Sequence, residues 1–414
     1  MKKNILFLLF ILFSVSVYPK SGQALLKLKI FPETYRIFIA GNEVFPARDE
    51  EKTKKIILEK GSFKIKITAK GYQDKEFDFT LSKNTLLEEK LEKNENFMTL
   101  LSEVKTGRQP KSVRFTPDGK YILAPLLDDN GMDIISVETG KVFKRIVFPK
   151  ELALKKGFVE TAVSVRNNEI WLAQMHAELV HVISLDTFEV KKSIPTQGIY
   201  SKVILFSKDE STAFISNWDS RDITVIDALN YKVIRKIPVY GIPRGMVMSP
   251  DGKYLYAALF NKPKVIKIDL KTNKIVLSIP CGNAMRHLVP DYSKGVFFAS
   301  SMGNGKIYII SFENDKILKE KLVDDKLNTI DLSPDGKTLF VSSRGPNNKK
   351  TYLMKGPEFG KVFVLDAQTL EITSWLWGRN QPTGLAVSPD GSLLAFSDFL
   401  DKNIEIYRIN GTKP

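Results

Sequence analysis

The sequence predicts an all-β protein, a seven-bladed β-propeller preceded by a small Ig-like β-sandwich, and a repeated turn is the main reason. A Ser-Pro-Asp-Gly-Lys turn occurs at Ser249–Lys253 and Ser333–Lys337, with close copies at 116–120 and 388–391. Decayed copies begin at residues 164, 207 and 289, so successive spacings are 48, 43, 42, 40, 44 and 55. A period near forty residues with several short strands per period is typical of propeller blades. Seven copies predict seven blades within residues 97–410.

The first residues predict a secretory signal over residues 1–24. Lys2 and Lys3 precede an apolar run from Ile5 to Val17, and small residues lie ahead of the expected cleavage after Ala24. Thirteen apolar residues are too few to cross a hydrocarbon layer of about 30 Å. No cysteine follows the run, so we expect an exported protein of the periplasm or outer surface without a lipid anchor of the bacterial lipoprotein kind.

The net charge indicates which partners the protein could bind, and the cysteine content indicates whether disulfides could stabilise it. The formal net charge is +15, and loss of Lys2, Lys3 and Lys20 with the signal would leave +12. Such a charge favours nucleic acid, acidic polysaccharide or lipid headgroups, although scattered lysines are equally typical of a solvated surface. Cys281 is the only cysteine, which excludes a disulfide within the chain. Stability must therefore come from apolar burial.

Residues 25–95 contain no copy of the turn and are predicted to form a separate β domain. Alternating apolar and polar residues predict short strands, at 26–31, 35–39, 55–58, 63–68 and 77–81. The order of Phe31-Pro32, Ile39-Ala40-Gly41, Leu58-Glu59-Lys60-Gly61 and Lys70-Gly71-Tyr72 resembles PEGA-type surface modules. That resemblance implies a spacer or a wall-proximal adaptor without catalytic residues.

Each repeat of 97–410 is predicted to contain four strands. In the clearest repeat the inner strand Met246–Met248 is followed by the turn and then by strands at 254–259, 265–269 and 274–279. The turn has a physical basis, because proline presets φ, aspartate bonds to the backbone and glycine accepts the left-handed conformation. The last repeat lacks a fourth strand, so we expect Phe97–Val104 to pair beside Ile404–Ile409 and close the ring.

The repeats resemble those of YVTN-type, YncE-like β-propellers over roughly residues 97–410. The resemblance is carried by Ile226-Asp227, Lys232-Val233, Ile237-Pro238-Val239, Gly241, Pro243, Gly245 and the 249–252 turn, with Gly378, Pro382, Gly384 and 388–391 repeating the second half. It implies the propeller fold. It implies no single function, because this architecture serves binding proteins, a sugar lactonase and quinone-dependent dehydrogenase subunits.

The residues five positions before each turn are predicted to line the mouth of a central channel. They are Lys111, Val159, Lys202, Arg244, Ala284, Asn328 and Thr383, and Arg286 adds a fourth cation nearby. Such a mouth would hold a carboxylate, phosphate or sulfated sugar by charge-assisted hydrogen bonds. Alternatively, these arginines bond to free backbone carbonyls of neighbouring blades.

A second candidate surface is the variable face, opposite the repeated turns. The longest departure from the repeat is the insertion at 343–360, where we expect Arg344, Tyr352 and Lys355 to contact a partner. The alternative is an inert basic flap packed by Tyr352 and Phe359. Further partner-binding candidates on this face are Arg108, Trp218 and Arg379.

The sequence predicts no catalytic residues, cofactor or metal site. His176, His181 and His287 occupy unlike repeat positions, and Cys281 lacks a haem-attachment context. We therefore expect an exported, non-enzymatic protein that presents a basic face to an anionic small molecule, polysaccharide or protein. The alternatives are a lactonase-type hydrolase, which needs Glu, Arg and His to converge on the channel, and salt-dependent binding of DNA or acidic polysaccharide.

Overall fold

The computed structural model describes residues 19–31, 35–44, 47–48, 54–69, 72, 74–91 and 97–410. The chain divides into two compact units, Met1–Asn94 and Glu95–Pro414. Residues 1–18 of the predicted signal lie outside the described residues, whereas Gln23 and Ala24 already belong to the first strand. In the ranges that are described, no helix has the length and apolar character needed to cross a membrane.

The first unit contains two four-stranded sheets in its described residues, with strand orders β4-β5-β1-β8 and β3-β2-β6-β7. The strands are β1 (Gln23–Phe31), β2 (Arg36–Ile39), β3 (Asn42–Val44), β4 (Ala47–Arg48), β5 (Lys54–Glu59), β6 (Gly61–Thr68), β7 (Lys75–Leu81) and β8 (Thr85–Lys90). Their alternating apolar residues form one core that includes Leu26, Ile37, Ile65 and Ile67. The five predicted segments correspond to β1, β2, β5, β6 and β7. The sequence missed the short β3 and β4 and also β8, which runs parallel to β1.

The described part of the second unit contains seven four-stranded antiparallel sheets, one for each predicted repeat. The chain enters this unit through β9 (Met98–Lys105). Sheet 1 contains β10 (Arg114–Phe115), β11 (Tyr121–Pro125), β12 (Met132–Ser136) and β13 (Lys141–Ile146). A short helix, α1 (Lys150–Ala153), leads to sheet 2, which contains β14 (Phe158–Ser164), β15 (Glu169–Gln174), β16 (Leu179–Ser184) and β17 (Val190–Pro195), with a 3-10 turn at Met175–Ala177.

The next five sheets repeat the same order. Sheet 3 contains β18 (Ser201–Phe206), β19 (Thr212–Asn217), β20 (Asp222–Asp227) and β21 (Lys232–Pro238). Sheet 4 contains β22 (Pro243–Met248), β23 (Tyr254–Leu259), β24 (Lys264–Asp269) and β25 (Lys274–Pro280). Sheet 5 contains β26 (Met285–Asp291), β27 (Val296–Ser301), β28 (Lys306–Ser311) and β29 (Ile317–Leu322). Sheet 6 contains β30 (Leu327–Leu332), β31 (Thr338–Ser343), β32 (Lys361–Asp366) and β33 (Ile372–Trp377). Sheet 7 contains β34 (Pro382–Val387), β35 (Leu393–Asp398), β36 (Asn403–Ile409) and β9.

Sheet 7 joins the two ends of the unit. Its outer strand is β9, which pairs antiparallel with β36 from Asn403↔Lys105 to Ile409↔Met98. This confirms the pairing that the sequence predicts. The inner strands of successive sheets contact one another, and β34 of sheet 7 contacts β10 of sheet 1. The edges that would otherwise be open are therefore covered by the same chain.

The repeated turn has the predicted local geometry. Ser249 Oγ donates to Asp251 Oδ1 at 2.6 Å, Lys253 N donates to the same oxygen at 3.1 Å, and Ser249 N donates to Tyr254 O at 2.9 Å. Gly252 takes a φ of 73°, in the region that favours glycine. The Ser249 hydroxyl is the largest cause that lowers the pKa of Asp251 to about 2.

The turn of sheet 5 begins two residues later than the sequence predicts. Asp291 pairs with Val296, as Ser249 bonds across to Tyr254 in sheet 4. The equivalent turn therefore starts at 291 rather than 289, and the two flanking spacings both become 42. The prediction failed because Val289-Pro290-Asp291 imitates the Pro-Asp order, whereas here Ser293 Oγ donates back to Asp291 Oδ1 at 2.6 Å.

Candidate functional site

A bulge at the start of the inner strands directs one side chain per sheet toward the ring centre. In β22 the pair Pro243↔Leu259 is followed by Met246↔Ala257, so two residues oppose one. Arg244 is the first of the two. The same irregularity in β18, β26, β30 and β34 places Lys202, Arg286, Asn328 and Thr383 at this position.

This register corrects one of the predicted channel residues. Arg286, not Ala284, is the sheet 5 equivalent of Arg244, because Met285↔Ser301 and Leu288↔Ala299 repeat the pairing of sheet 4. The error follows from the misplaced turn at 289. Arg286 therefore belongs to the channel layer itself.

Five cationic side chains converge at this layer, and we call them the cation cluster. They are Lys111, Lys202, Arg244, Arg286 and Arg344. The three arginines are 5, 7 and 5% exposed, in that order, and the two lysines are partly buried. Burial, followed by the positive charges of the other four members, lowers the pKa of Lys111 well below its usual value of 10.5. Burial and the charges of the other four members therefore all disfavour the charged form of this lysine.

A set of equivalent residues that we call the collar lies beside the cation cluster and includes one of its members, Arg344. Each collar residue follows the second strand of its sheet and donates its backbone N–H to the segment just before the inner strand, as Trp218 N does to Tyr200 O at 3.0 Å. The equivalent residues are Leu127, Met175, Trp218, Phe260, Met302, Arg344 and Phe399. Six of these seven are apolar or aromatic, so the walls around the cluster have a low polarity.

The cluster rests against the collar through cation–π contacts. Lys111 Nζ lies 4.6 Å from the ring centroid of Phe399. Lys202 Nζ and Arg244 Cζ lie 3.8 and 5.3 Å from the centroid of Trp218. Aromatic faces attract cations but do not neutralise them, so the net positive charge of the cluster remains.

The charges of the cluster are not balanced by direct ion pairs. None of its five members forms an ion pair with a carboxylate in the described chain, nor does any donate to a backbone carbonyl. Arg286 Nε donates to Asn328 Oδ1, and Arg344 donates to Gln381 Oε1. Arg244 has no hydrogen bond to a described residue, and its buried Nε is unpartnered. The alternative in which these arginines satisfy carbonyls of neighbouring blades is therefore not what the structure shows.

A polar cavity of about 70 Å³ lies next to the cluster. Its lining comes from the inner strands of sheets 1, 2, 5, 6 and 7, which places it at the centre of the ring. Three buried polar atoms of the lining have no partner: Ser112 Oγ, Thr161 Oγ1 and His287 Nδ1. Burial, followed by the charges of Arg114 and Arg244, lowers the pKa of His287 to about 4, so this histidine is neutral at pH 7.

Glu160 is one of two carboxylates that line this cavity, and the other is Asp331. The negative charge of Glu160 acts on Lys202, Arg244 and Arg286. Sequence reasoning missed Glu160. The sequence feature that could have pointed to Glu160 is its position four residues before the turn. Sheets 4 and 7 have glycines at this position, Gly245 and Gly384.

Those two glycines let the inner strands approach closely. A Cβ on Gly245 would lie 2.6 Å from Leu288 N, and one on Gly384 would lie 2.6 Å from the Ser112 carbonyl carbon. Larger side chains at this layer are thus excluded from sheets 4 and 7. Glu160 and His287 occupy the space that remains.

The insertion of sheet 6 reaches the cluster through Tyr352. Its ring centroid lies 5.4 Å from Arg344 Cζ, and its carbonyl accepts a 2.6 Å hydrogen bond from Gln381 Nε2. Lys355 forms an ion pair with Asp401 of sheet 7. Tyr352 is 47% exposed, whereas Arg344 is buried, so Arg344 belongs to the cation cluster rather than to the outer surface.

Two predicted partner-binding arginines are already paired. Arg108 lies 3.2 Å from Asp128 Oδ2 and 3.6 Å from Asp129 Oδ1. Arg379 lies 2.6 Å from Glu103 Oε2, which links sheet 7 to the strand that closes it. Because these charges are compensated, we leave both residues out of the anion site.

His181 and Cys281 were considered above for metal and haem binding, and both lie in surroundings that favour their neutral forms. His181 bonds to Ser193 Oγ at 2.8 Å and to Gln174 Oε1 at 3.0 Å, and burial lowers its pKa to about 4. Burial raises the pKa of the Cys281 thiol to about 12. No three His, Cys, Asp or Glu side chains of the described residues are grouped closely enough to hold a metal ion.

Comparison with known proteins gives two matches. A family model described as YNCE-like beta-propeller matches residues 54–252. The protein named Antigen Lp49, from Leptospira interrogans serogroup Icterohaemorrhagiae serovar copenhageni (strain Fiocruz L1-130), is 37% identical over 413 residues. The alignment covers 95% of this chain and 90% of that relative.

Proposed function

Since this chain belongs to the YNCE-like β-propeller family, we propose that it is an exported, non-enzymatic binding protein whose cation cluster holds an anionic ligand. In this proposal the seven sheets are the seven blades of one ring. The N-terminal unit is a PEGA-type, Ig-like spacer. The ligand enters from the face that carries the insertion.

The observation that supports this proposal is the uncompensated charge of the cluster. Burying a charge without a partner is costly, and proteins keep such groups where a ligand supplies the missing charge. Three guanidinium groups offer several parallel N–H donors for the oxygens of a phosphate or carboxylate. The apolar collar strengthens those bonds, because electrostatic attraction grows as local polarity falls.

The variable face suits a larger partner that carries the anionic group. Tyr352 and Trp218 contact members of the cluster, and the insertion that carries Tyr352 also contains Lys349 and Lys350. The relative is named an antigen. From that name we carry over one proposal, that this chain is displayed outside the cytoplasm.

The test is calorimetric titration of the purified protein with inorganic pyrophosphate at low and moderate salt. We expect saturable binding that Arg244→Ala and Arg286→Ala abolish. The control is Arg235→Ala, which removes a positive charge from an outer strand where Arg235 bonds to Asn273 at 2.8 Å. Unchanged affinity in both channel variants would contradict the proposal. A steep loss with salt, equal in all variants, would instead favour diffuse binding of DNA or acidic polysaccharide.

A second candidate function, a lactonase-type hydrolase, gains support from the cavity. Glu160 and His287 line the same cavity, and the charges of Arg244 and Arg286 act on His287, which supports this alternative. A neutral histidine and a carboxylate can transfer protons during ester hydrolysis. The test is turnover of sugar-acid lactones by the wild type and by His287→Gln. Turnover that the substitution does not reduce would exclude this site as its source.

A further inference from the structure

We propose that the variable face docks on an anionic lipid surface through two loop tips that combine exposed apolar side chains with lysines. We call them the docking tips. One is Leu154 with Lys150 and Lys155, in the connection from sheet 1 to sheet 2, and the other is the segment 349–354 in the insertion of sheet 6. This inference goes beyond the proposed anion site and does not depend on it.

The first support is the exposure of the apolar side chains at the docking tips. Tyr352, Leu353 and Met354 are consecutive in the chain and are 47, 44 and 45% exposed. Leu154 is 71% exposed. A run of three exposed apolar residues lowers solubility and is typical of a surface that binds a partner. The insertion therefore has an apolar contact surface that the protein itself does not cover.

The second support is that exposed apolar residues are concentrated in the loops of one face. In the described loops of the variable face, the large exposed apolar residues are Val147, Leu154, Ile199, Tyr200, Tyr240, Tyr352, Leu353 and Met354. In the described loops of the opposite face, they are Val165, Leu229 and Tyr292. A general tolerance of exposed apolar residues would affect both faces equally. The difference therefore indicates that the variable face has an apolar partner.

Both docking tips extend from the collar and thus lie on the same face. The insertion begins at Arg344, which is a collar residue. In the connection that carries Leu154, Gly157 N donates to the carbonyl of collar residue Leu127 at 2.9 Å. Gly157 O in turn accepts from Met175 N, of the next collar residue, at 2.7 Å. One extended partner can therefore contact both tips.

The insertion holds its apolar side chains exposed before any partner binds. Gln381 Nε2 donates to Tyr352 O at 2.6 Å, and Lys355 forms an ion pair with Asp401. These two contacts fix the backbone on either side of Leu353. Because the tip is already ordered, little conformational entropy is lost when it docks.

The lysines of the docking tips are free to contact an anionic surface. Four of them form no ion pair with a described residue: Lys150, Lys155, Lys349 and Lys350. The neighbouring Lys156 and Lys355 are paired, with Asp128 and Asp401. Lipid phosphates would supply the missing counter-charge, and each lysine near an anionic leaflet raises the affinity about fivefold.

The combination of apolar and basic side chains favours a bilayer over other anionic partners. Nucleic acid and acidic polysaccharide offer negative charge but little apolar surface to cover the tips. Neither the central cavity nor the groove between sheets 4 and 5 has a lining residue from the docking tips, so the tips do not form a shaped pocket in either place. A bilayer needs no such pocket, because its headgroups accept the lysines and its acyl boundary accepts the apolar side chains.

The test is co-sedimentation of the purified protein with phosphatidylcholine vesicles that contain or lack phosphatidylglycerol. We expect binding only to the vesicles with phosphatidylglycerol. Leu353→Asp should lower that affinity about tenfold or more, because it removes an apolar contact and adds a like charge. The matched control is Leu229→Asp, in which a leucine that is 49% exposed is replaced on the opposite face. The control should keep the wild-type affinity.

A second pair of variants tests the lysines. Lys349→Glu with Lys350→Glu should lower the affinity for these vesicles about 25-fold or more. The control, Lys271→Glu with Lys316→Glu, makes the same change of charge at exposed residues of turns on the opposite face. We expect a much smaller loss in the control, because those turns do not contact the bilayer.

Three results would overturn the proposal. One is a wild type that does not bind phosphatidylglycerol vesicles, which leaves the anion site to its own titration with pyrophosphate. Another is an equal loss in the two lysine pairs, which would mean that diffuse charge alone drives binding. The third is self-association in sedimentation velocity that Leu353→Asp abolishes, without vesicle binding, which would assign the docking tips to a second copy of this chain.

Discussion

Replacing Arg244 with methionine should make the unliganded protein more stable. Arg244 is 5% exposed and has no hydrogen bond or ion pair with the described residues, so removing its charge breaks no such contact. Lys202 Nζ and Arg244 Cζ lie 3.8 and 5.3 Å from the same Trp218 centroid, so the two charges are at most about 9 Å apart. At an effective dielectric constant of about 20, two like charges at ~9 Å repel by about 2 kcal/mol.

We therefore expect Arg244→Met to raise the free energy of unfolding by about 1–3 kcal/mol, in line with the gains seen when buried charges are replaced by apolar residues. Urea denaturation without ligand measures this difference. The same denaturation with pyrophosphate should reverse the order, because only the wild type is stabilised by binding, by about 4.1 kcal/mol at a ligand concentration of ~1,000 Kd.

The matched control for this experiment is Arg235→Met. Arg235 lies on an outer strand and donates to Asn273 Oδ1, so its loss should slightly lower stability with or without pyrophosphate. The reasoning would be refuted if the free energy of unfolding of unliganded Arg244→Met were lower than that of the wild type by about 1 kcal/mol or more, since relief of ~2 kcal/mol of repulsion should raise it. It would mean that Arg244 is compensated within the protein and that no ligand is needed to balance it.

Three further outcomes are expected. Pyrophosphate affinity should fall with rising pH, and should do so well below the usual lysine pKa of 10.5, because burial and the charges of Arg244 and Arg286 lower the pKa of Lys202 and the neutral amine holds anions weakly. Lys202→Met should flatten this titration. Burial lowers the pKa of His181 from 6.5 to about 4, so the unfolded state binds the proton more readily. About 3 kcal/mol of the free energy of unfolding, present in full above pH 6.5, should therefore be lost as the pH falls toward 4. In urea denaturation, the stability of His181→Gln should depend less on pH. Val104→Asp should lower the free energy of thermal unfolding by about 3 kcal/mol or more, since Val104 of β9 is 3% exposed and lies in the core. An unchanged melting temperature would refute the role of β9 in closing sheet 7.

Local rules were sufficient to predict the repeats and the closing strand. The turns that begin at Ser249, Ser333 and Ser388 repeat one set of hydrogen bonds, so their sequence is tied to their geometry. The pairing of β9 with β36 followed from a missing fourth strand. Sheet 5 was misregistered, because a turn in which Ser293 bonds to Asp291 satisfies the same geometry with a different order of residues.

The candidate site was only partly predictable. Counting back from each turn found Lys111, Lys202 and Arg244, because the bulge at which they lie is at a fixed distance from the turn. Arg344 was expected at a partner surface, yet it joins the cluster from the end of β31. Glu160 could not be singled out from one repeat, since the cavity that it lines is completed by residues of four other sheets.

The closing strand also sets the order of events during synthesis. Residues 98–105 leave the ribosome first among those of the second unit, but their partner strand at 403–409 follows about 300 residues later. At about 5–20 residues per second, that delay is on the order of tens of seconds. Throughout it, Val104, which is 3% exposed in the folded protein, lacks the partner strand beside it. Sheet 7 can therefore be completed only after both of these strands have been synthesised.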